Sequence, residues 1–162
     1  MARRRRRALR REASRRPPPK PGLVPPAVEE RALPIVRELA RVARGPERPA
    51  RKLEGALEVL FGAYAEGDPH FSDALVGGWA RAREDKQFRL TMAWLREQSR
   101  LSLEEILEEG VKSGDFRRGL DAGAVATALL GAAEGCLLQS GSAGGTVPPA
   151  RLLRALLALV EG

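Results

Sequence analysis

Apolar side chains recur at a helical spacing along most of this chain. From Val28 onward they return every three or four residues, which is the period of an amphipathic α-helix. No stretch of the sequence alternates apolar and polar residues in the manner of a half-buried strand. Glycine and proline interrupt the helical period and so mark the ends of helices. The pattern predicts six helices, at about residues 28–44, 49–66, 69–83, 86–113, 121–139 and 149–161.

Several predicted helix ends carry residues that prefer those positions. Asp68-Pro69 and Asp85 each place a carboxylate before a helix, where it can accept hydrogen bonds from unpaired amides. Gly114 can adopt the left-handed conformation that ends helices, and Phe116 can then fold back on the last turn. Asp121 is expected to cap the fifth helix. These signals agree with the apolar period, so the chain is predicted to be all-α.

The last two predicted helices are apolar over most of their circumference. A helix that is apolar on two sides is buried on both, and very small side chains let a second helix approach closely. Two such helices exceed what one small core needs, so we expect them to form a four-helix bundle across a two-fold axis. The alternative is that both are buried within a monomer. The predicted interface residues are Ala124, Ala128, Gly131, Gly135, Leu152, Leu156 and Leu159.

The N-terminal segment differs from the rest in charge. Residues 1–20 hold nine Arg and one Lys against one acid, a net charge of +9. The other 142 residues therefore carry −2, the difference from the total of +7. Six prolines lie between residues 17 and 26, and apolar residues are few. We predict a disordered Arg/Pro-rich tail at 1–26 and a helical domain at 28–162, with any attraction to nucleic acid assigned to the tail.

Candidate catalytic and metal-binding groups are sparse. The single histidine, His70, falls in the first turn of a predicted helix, where a surface position is expected. The acidic group at residues 104–109 lacks the histidines of a di-metal bundle. Arg100 with Glu104, and Glu108 with Lys112, have the spacing of surface ion pairs on one helix. We therefore expect no enzyme, no cofactor and no metal.

Cysteine usage and hydropathy exclude two further classes. One cysteine, Cys136, rules out an internal disulfide and lies in an apolar helix as a small hydrophobic residue. No segment approaches the roughly 18 apolar residues of a membrane span. The N-terminal charges are not followed by the apolar stretch of a signal peptide. A cytoplasmic protein without membrane contact is expected.

The order of these features resembles the C-terminal half of bacterial transcriptional regulators of the TetR family. The matching features are the break at Asp85, the turn Glu109-Gly110…Gly114-Asp115-Phe116-Arg117, Asp121 and Gly135. The resemblance covers roughly residues 28–162 and is densest from Trp79 to Leu138. It implies a helical domain that dimerises through its last two helices and binds a small effector. In that family, effector binding moves N-terminal DNA-reading heads.

Large side chains cluster where this resemblance implies an effector pocket. Aromatic and thioether surfaces suit a small apolar or amphipathic ligand, and Tyr64 or Gln98 can supply a polar anchor. For each single residue, ordinary core packing is the alternative. Trp94 lies off the main apolar face of its helix and is the better pocket or interface candidate. The candidate ligand-binding residues are Phe61, Tyr64, Trp79, Phe88, Met92, Trp94 and Gln98.

Residues 1–26 stand where the family has its helix-turn-helix, and three hypotheses compete for them. In the first hypothesis, the DNA-binding head has been lost or mistranslated. An out-of-frame stretch of a GC-rich gene is translated mainly into Arg, Pro, Ala and Gly, as in residues 1–26. Alternatively, the tail is genuine and neutralises DNA phosphates without sequence choice. Thirdly, the protein is a headless dimer that binds a ligand or partner, and the tail is a solvated appendage. The candidate phosphate contacts are Arg3, Arg4, Arg5, Arg6, Arg7, Arg10 and Arg11.

A three-helix DNA-binding head needs about 45 residues and a core of its own. The 26 polar residues of the tail do not supply one. We therefore interpret the chain as the effector-binding and dimerising part of a TetR-type regulator, and expect it not to recognise an operator sequence.

Overall fold

Helices make up most of the described part of the chain. A computed structural model describes residues 28–65, 69–140 and 148–161, and no strand occurs among them. The predicted all-α class is confirmed, and the predicted helix ends differ from the observed ones by at most three residues. The helices are α1 (Val28–Ala43), α2 (Pro49–Ala65), α3 (Pro69–Glu84), α4 (Lys86–Ser113), α5 (Ala122–Ser140) and α6 (Pro149–Ala158).

The long helix α4 organises the bundle. It packs against α1, α2, α3 and α5, while α6 packs on α2. Removing leucine and isoleucine side chains from water at these contacts is the main stabilising term of such a bundle. Six side chains from two helices are fully buried at the centre: Leu53, Leu57 and Leu60 on α2, and Leu103, Ile106 and Leu107 on α4.

The end of α4 is closed by the turn that the sequence predicts. Gly114 has a φ of 82°, in the left-handed region. The amide of Phe116 donates to the carbonyl of Gly110 at 3.1 Å, and the Phe116 ring is only 2% exposed. The next amide, that of Arg117, donates to the carbonyl of Val160 at 3.2 Å. This turn therefore joins the end of α4 to the end of the chain's last helix.

Two of the three predicted aspartate caps are present, and the third, at Asp68, lies outside the described residues. The Asp85 carboxylate accepts from the amide of Phe88 at 3.0 Å, and the Asp121 carboxylate accepts from the amide of Ala124 at 2.9 Å. The hydrogen bond from Phe88, followed by the one from Arg81, lowers the pKa of Asp85 below its ordinary value of 3.8. The charged form is favoured in the folded state, so the cap adds stability above pH 3.8 and loses it as the pH falls further.

Replacing Asp85 with asparagine is expected to remove this pH dependence. Asparagine also caps helices but does not titrate. The stability advantage of the wild type over Asp85→Asn should therefore be present at neutral pH and disappear as acid protonates the carboxylate. Urea unfolding of the wild type and of Asp85→Asn between pH 2 and 7 measures this difference in the free energy of unfolding. Asp85→Ala is the control, because it loses the cap at every pH. A wild-type advantage that does not vary with pH contradicts the assignment.

Candidate functional site

A small cavity lies between α1, α3, α4 and α5. Its volume is about 20 Å³, which is room for about one water molecule. Most of its wall is aliphatic or aromatic, and three of its side chains are polar. The lining residues are Val28, Ala32, Ile35 and Val36 on α1, Phe71 and Leu75 on α3, Met92, Leu95, Arg96 and Ser99 on α4, and Leu130 and Glu134 on α5.

An ion pair across the cavity wall joins α4 to α5. Arg96 Nε donates to Glu134 Oε1 at 2.7 Å, and Arg96 Nη2 donates to Glu134 Oε2 at 2.8 Å. The Glu134 side chain is only 8% exposed, whereas that of Arg96 is 47% exposed. A carboxylate at such burial is rare without a charged partner, because desolvation disfavours the ion. The two-pronged contact with Arg96 therefore keeps Glu134 in the apolar wall.

The third polar lining residue does not share this contact. The hydroxyl of Ser99 donates to the carbonyl of Leu95 within α4, at 3.2 Å. Its hydrogen-bonding capacity as a donor is thus met inside its own helix. Arg96 and Glu134 are the charged groups of the cavity wall.

Sequence reasoning missed Glu134, although one signal pointed to it. Glu134 is the one charged residue in the nineteen of α5 and stands among alanine and glycine. A single carboxylate in an apolar helix marks either an exposed edge or a paired buried group. The partner, Arg96, is 38 positions earlier in the chain, so helical spacing alone does not connect the two residues.

The predicted ligand residues take different places in the structure. Met92 lines the cavity. Phe61 and Phe88 are buried in the core, and the Arg81 guanidinium lies 4.5 Å from the centre of the Phe88 ring. Trp79 is partly buried against the same core.

The remaining three candidates lie away from the cavity or outside the described part. Trp94 is 51% exposed. Gln98 does not line the cavity. The backbone carbonyl of Gln98 accepts a hydrogen bond from the Ser102 hydroxyl. The side chain of Tyr64 lies outside the described residues. The assignment of these seven residues to a ligand stays a prediction, with Met92 the member that touches the cavity.

The predicted small-residue stripe lies on the open side of α5. Ala124, Ala128 and Gly131 are exposed, and Gly135 is half-buried. A Cβ atom placed on either glycine would meet no other atom within 4 Å. The opposite side of α5 buries four residues in the core: Ala126, Leu129, Leu130 and Ala133.

The predicted leucines of α6 divide between the core and the surface. Leu152 and Leu156 are partly buried against the core, while Leu159 is 65% exposed. The Arg residues predicted to contact phosphates, between positions 3 and 11, lie outside the described residues. The same is true of the remainder of the tail.

The acidic residues of α4 form the predicted ion pairs. Arg100 contacts Glu104 at 2.8 Å, and Lys112 contacts Glu108 at 3.3 Å, each with i,i+4 spacing. In the described ranges, no three His, Cys, Asp or Glu side chains are grouped closely enough to hold a metal ion. Burial raises the pKa of the Cys136 thiol, which is unpaired. Among the described helices, none has both the length and the apolar character needed to cross a membrane.

Comparisons with known proteins give one family and one solved structure. The family model for the C-terminal domain of BetI-type transcriptional repressors matches residues 49–162, more than two thirds of the chain. The fold is similar to the crystal structure of a bacterial regulatory protein in the TetR family from Rhodococcus RHA1. That match has a TM-score of 0.69 and 17% sequence identity, and covers 83% of this chain and 70% of the other. No curated protein matches by sequence.

Proposed function

This chain belongs to the TetR family of transcriptional regulators, and we propose that its described helices are the effector-binding and dimerising part of such a regulator. One observation carries the proposal: α5 borders the cavity on one side and presents its small residues on the other. A ligand that enlarges the cavity must move at least one of the four helices around it, α1, α3, α4 and α5. Movement of α5 would alter any contact made through its open side.

The exposed side of α5 supports dimerisation through α5 and α6. Ala124, Ala128 and Gly131 leave a shallow surface on which a second helix can approach at short interaxial distance. Leu159, the residue after α6, adds an exposed apolar side chain near the end of that helix. A two-fold axis that pairs each α5 and α6 with its copies buries both surfaces at once.

The cavity supports effector binding because it combines apolar walls with a charged pair. Small-molecule sites are usually apolar pockets with a few oriented polar groups. The present volume of about 20 Å³ is far below the several hundred Å³ that a ligand of drug size needs. Binding therefore requires the surrounding helices to separate. A movement of α5 would couple effector binding to the small-residue surface on the other side of that helix.

Filling the cavity is expected to abolish effector binding. Ala32 lines the cavity from α1, and Ala32→Phe would place a ring where a ligand must enter. Compounds that raise the melting temperature of the wild type should lose at least about tenfold in affinity for this variant, measured by calorimetry, because a clash with the ring costs more than about 1.4 kcal/mol. Ala93→Phe, on the exposed side of α4, is the matched control and should bind normally. Equal binding by Ala32→Phe would place the effector site elsewhere.

We assign no enzymatic activity to the described residues and propose that the protein acts through binding alone. The second hypothesis, a headless dimer whose Arg-rich tail contacts nucleic acid, depends on residues 1–26. Those residues lie outside the described part, so the tail's contact with DNA stays a prediction.

A further inference from the structure

We propose that the cavity selects an apolar effector with a planar cationic head, an amidinium or guanidinium, which replaces Arg96 on Glu134. The inference rests on the proposed function, which places the effector in this cavity. Without an effector, the Arg96 guanidinium occupies the position on Glu134 that the cationic head of the effector would take. In this position, Arg96 forms both hydrogen bonds to the Glu134 carboxylate.

The unequal exposure of the two partners decides which one a ligand displaces. Glu134 is held in the wall by α5 and is almost fully buried, whereas nearly half of Arg96 is exposed. A long arginine stem allows its head to turn into water while the stem stays on the protein surface. A cationic ligand can therefore take the carboxylate and release Arg96 to solvent. An anionic ligand on Arg96 would leave Glu134 buried without a partner, which is strongly unfavourable.

The geometry of the pair restricts the kind of cation. Two parallel N–H donors of Arg96 reach the two oxygens of Glu134, at 2.7 and 2.8 Å. An amidinium or guanidinium presents the same pair of donors in one plane. A quaternary ammonium has the charge but no N–H donor, so it cannot replace either hydrogen bond. We call a cation with two parallel N–H donors in one plane a forked cation. The site therefore favours a forked cation over a cation without such donors.

The remaining walls determine the other end of the ligand. Ile35, Leu75 and Met92 line the cavity from three different helices. Their aliphatic and thioether surfaces suit a flat aromatic or short aliphatic body. A ligand with a second charge at this end would bury that charge without a partner. The expected effector class is a monocation with an apolar body.

A panel of four compounds of similar size tests the head group on the wild-type chain. Benzamidine carries the forked cation, benzamide is its neutral analogue, benzoate is anionic, and benzyltrimethylammonium is a cation without N–H donors. We expect calorimetry to show benzamidine binding at least tenfold more tightly than the other three. Equal or tighter binding of benzamide, benzoate or benzyltrimethylammonium overturns the inference.

Two substitutions test the replacement of Arg96. Arg96→Met keeps an apolar stem and removes the internal competitor, so benzamidine affinity should rise about tenfold. Glu134→Gln keeps the shape and removes the negative charge, so affinity should fall at least tenfold. If the pair were only structural, Arg96→Met would not strengthen binding. Weaker or unchanged binding of benzamidine by Arg96→Met overturns the inference, as does its absence in both wild type and variant.

Failure of the inference and failure of the proposed function give different results. If a compound without the forked cation binds at least as tightly as benzamidine and Ala32→Phe prevents its binding, the cavity is the effector site but the head-group assignment is wrong. If benzamidine binds equally to the wild type and Ala32→Phe, the proposed site itself is wrong. The panel on the wild type is informative even if a substituted chain does not fold.

Discussion

Replacing Gly110 with alanine is expected to lower the free energy of unfolding by about 3 kcal/mol. A Cβ atom at this position would lie 2.0 Å from Cδ2 and 2.2 Å from Cε2 of the Phe116 ring. Phe116 is almost completely buried, so its ring has no free space into which it can move. Its amide also donates to the Gly110 carbonyl, which holds the two residues together. The added methyl group must therefore displace the turn after α4.

Chemical denaturation of the variant measures this loss, and a second glycine provides the control. A Cβ atom at Gly62, within α2, would meet no atom within 4 Å. Gly62→Ala is expected to gain about 0.5–1 kcal/mol, because alanine favours helix over glycine. A similar gain for Gly110→Ala would show that the ring does not pack on Gly110.

A double-mutant cycle identifies the source of the loss. Phe116→Ala alone should cost about 3–5 kcal/mol, the usual range for removing a buried ring. Once the ring is absent, Gly110→Ala has nothing to displace and should add little further cost. The two changes are therefore expected to be strongly non-additive. Additive losses contradict a direct contact between the ring and the glycine.

Placing arginine at Ala128 is expected to convert a dimer into a monomer. Ala128 is exposed in the centre of the small-residue stripe of α5. In the proposed dimer, its copy lies near the same two-fold axis, so two buried like charges would face each other. Such a juxtaposition costs several kcal/mol, which raises the dissociation constant by about a thousandfold. The exposed position leaves the fold of each chain intact.

Sedimentation velocity of the wild type and of Ala128→Arg measures this change directly. Ala93→Arg, on the exposed side of α4, adds the same charge away from the proposed interface and should remain dimeric. A wild type that stays monomeric at micromolar concentration contradicts the proposed dimer. A dimer that Ala128→Arg leaves unchanged requires a different interface.

The success of the helix predictions has a local cause. Apolar spacing, the Asp85 and Asp121 caps, and the glycine at the end of α4 all act within a few residues of one another. The return of Phe116 onto the last turn of α4 is also a local event, six residues after Gly110. Interactions of this range can be recognised in a single sequence, because the chain's own geometry brings the partners together.

The large side chains of α2, α3 and α4 illustrate what spacing does not resolve. Phe61, Phe88 and Met92 all occupy apolar faces, but only Met92 borders the cavity. A position on an apolar face predicts that a residue is buried. It does not predict which side chains the residue contacts, or whether it borders a cavity. The distinction between a core position and a cavity wall depends on the side chains that other helices bring to the same place.

The amino-acid sequence by itself determined the six helices, the caps at Asp85 and Asp121, the turn at Phe116 and the resemblance to TetR regulators, because each depends on local preferences or ordered spacing. Only the tertiary structure decided that the half-exposed Arg96 and the buried Glu134 form an ion pair in the wall of a cavity. Their 38-residue separation is closed by the packing of α4 on α5. The chemistry of a site formed in this way depends on distances between helices, which no periodicity within one helix records.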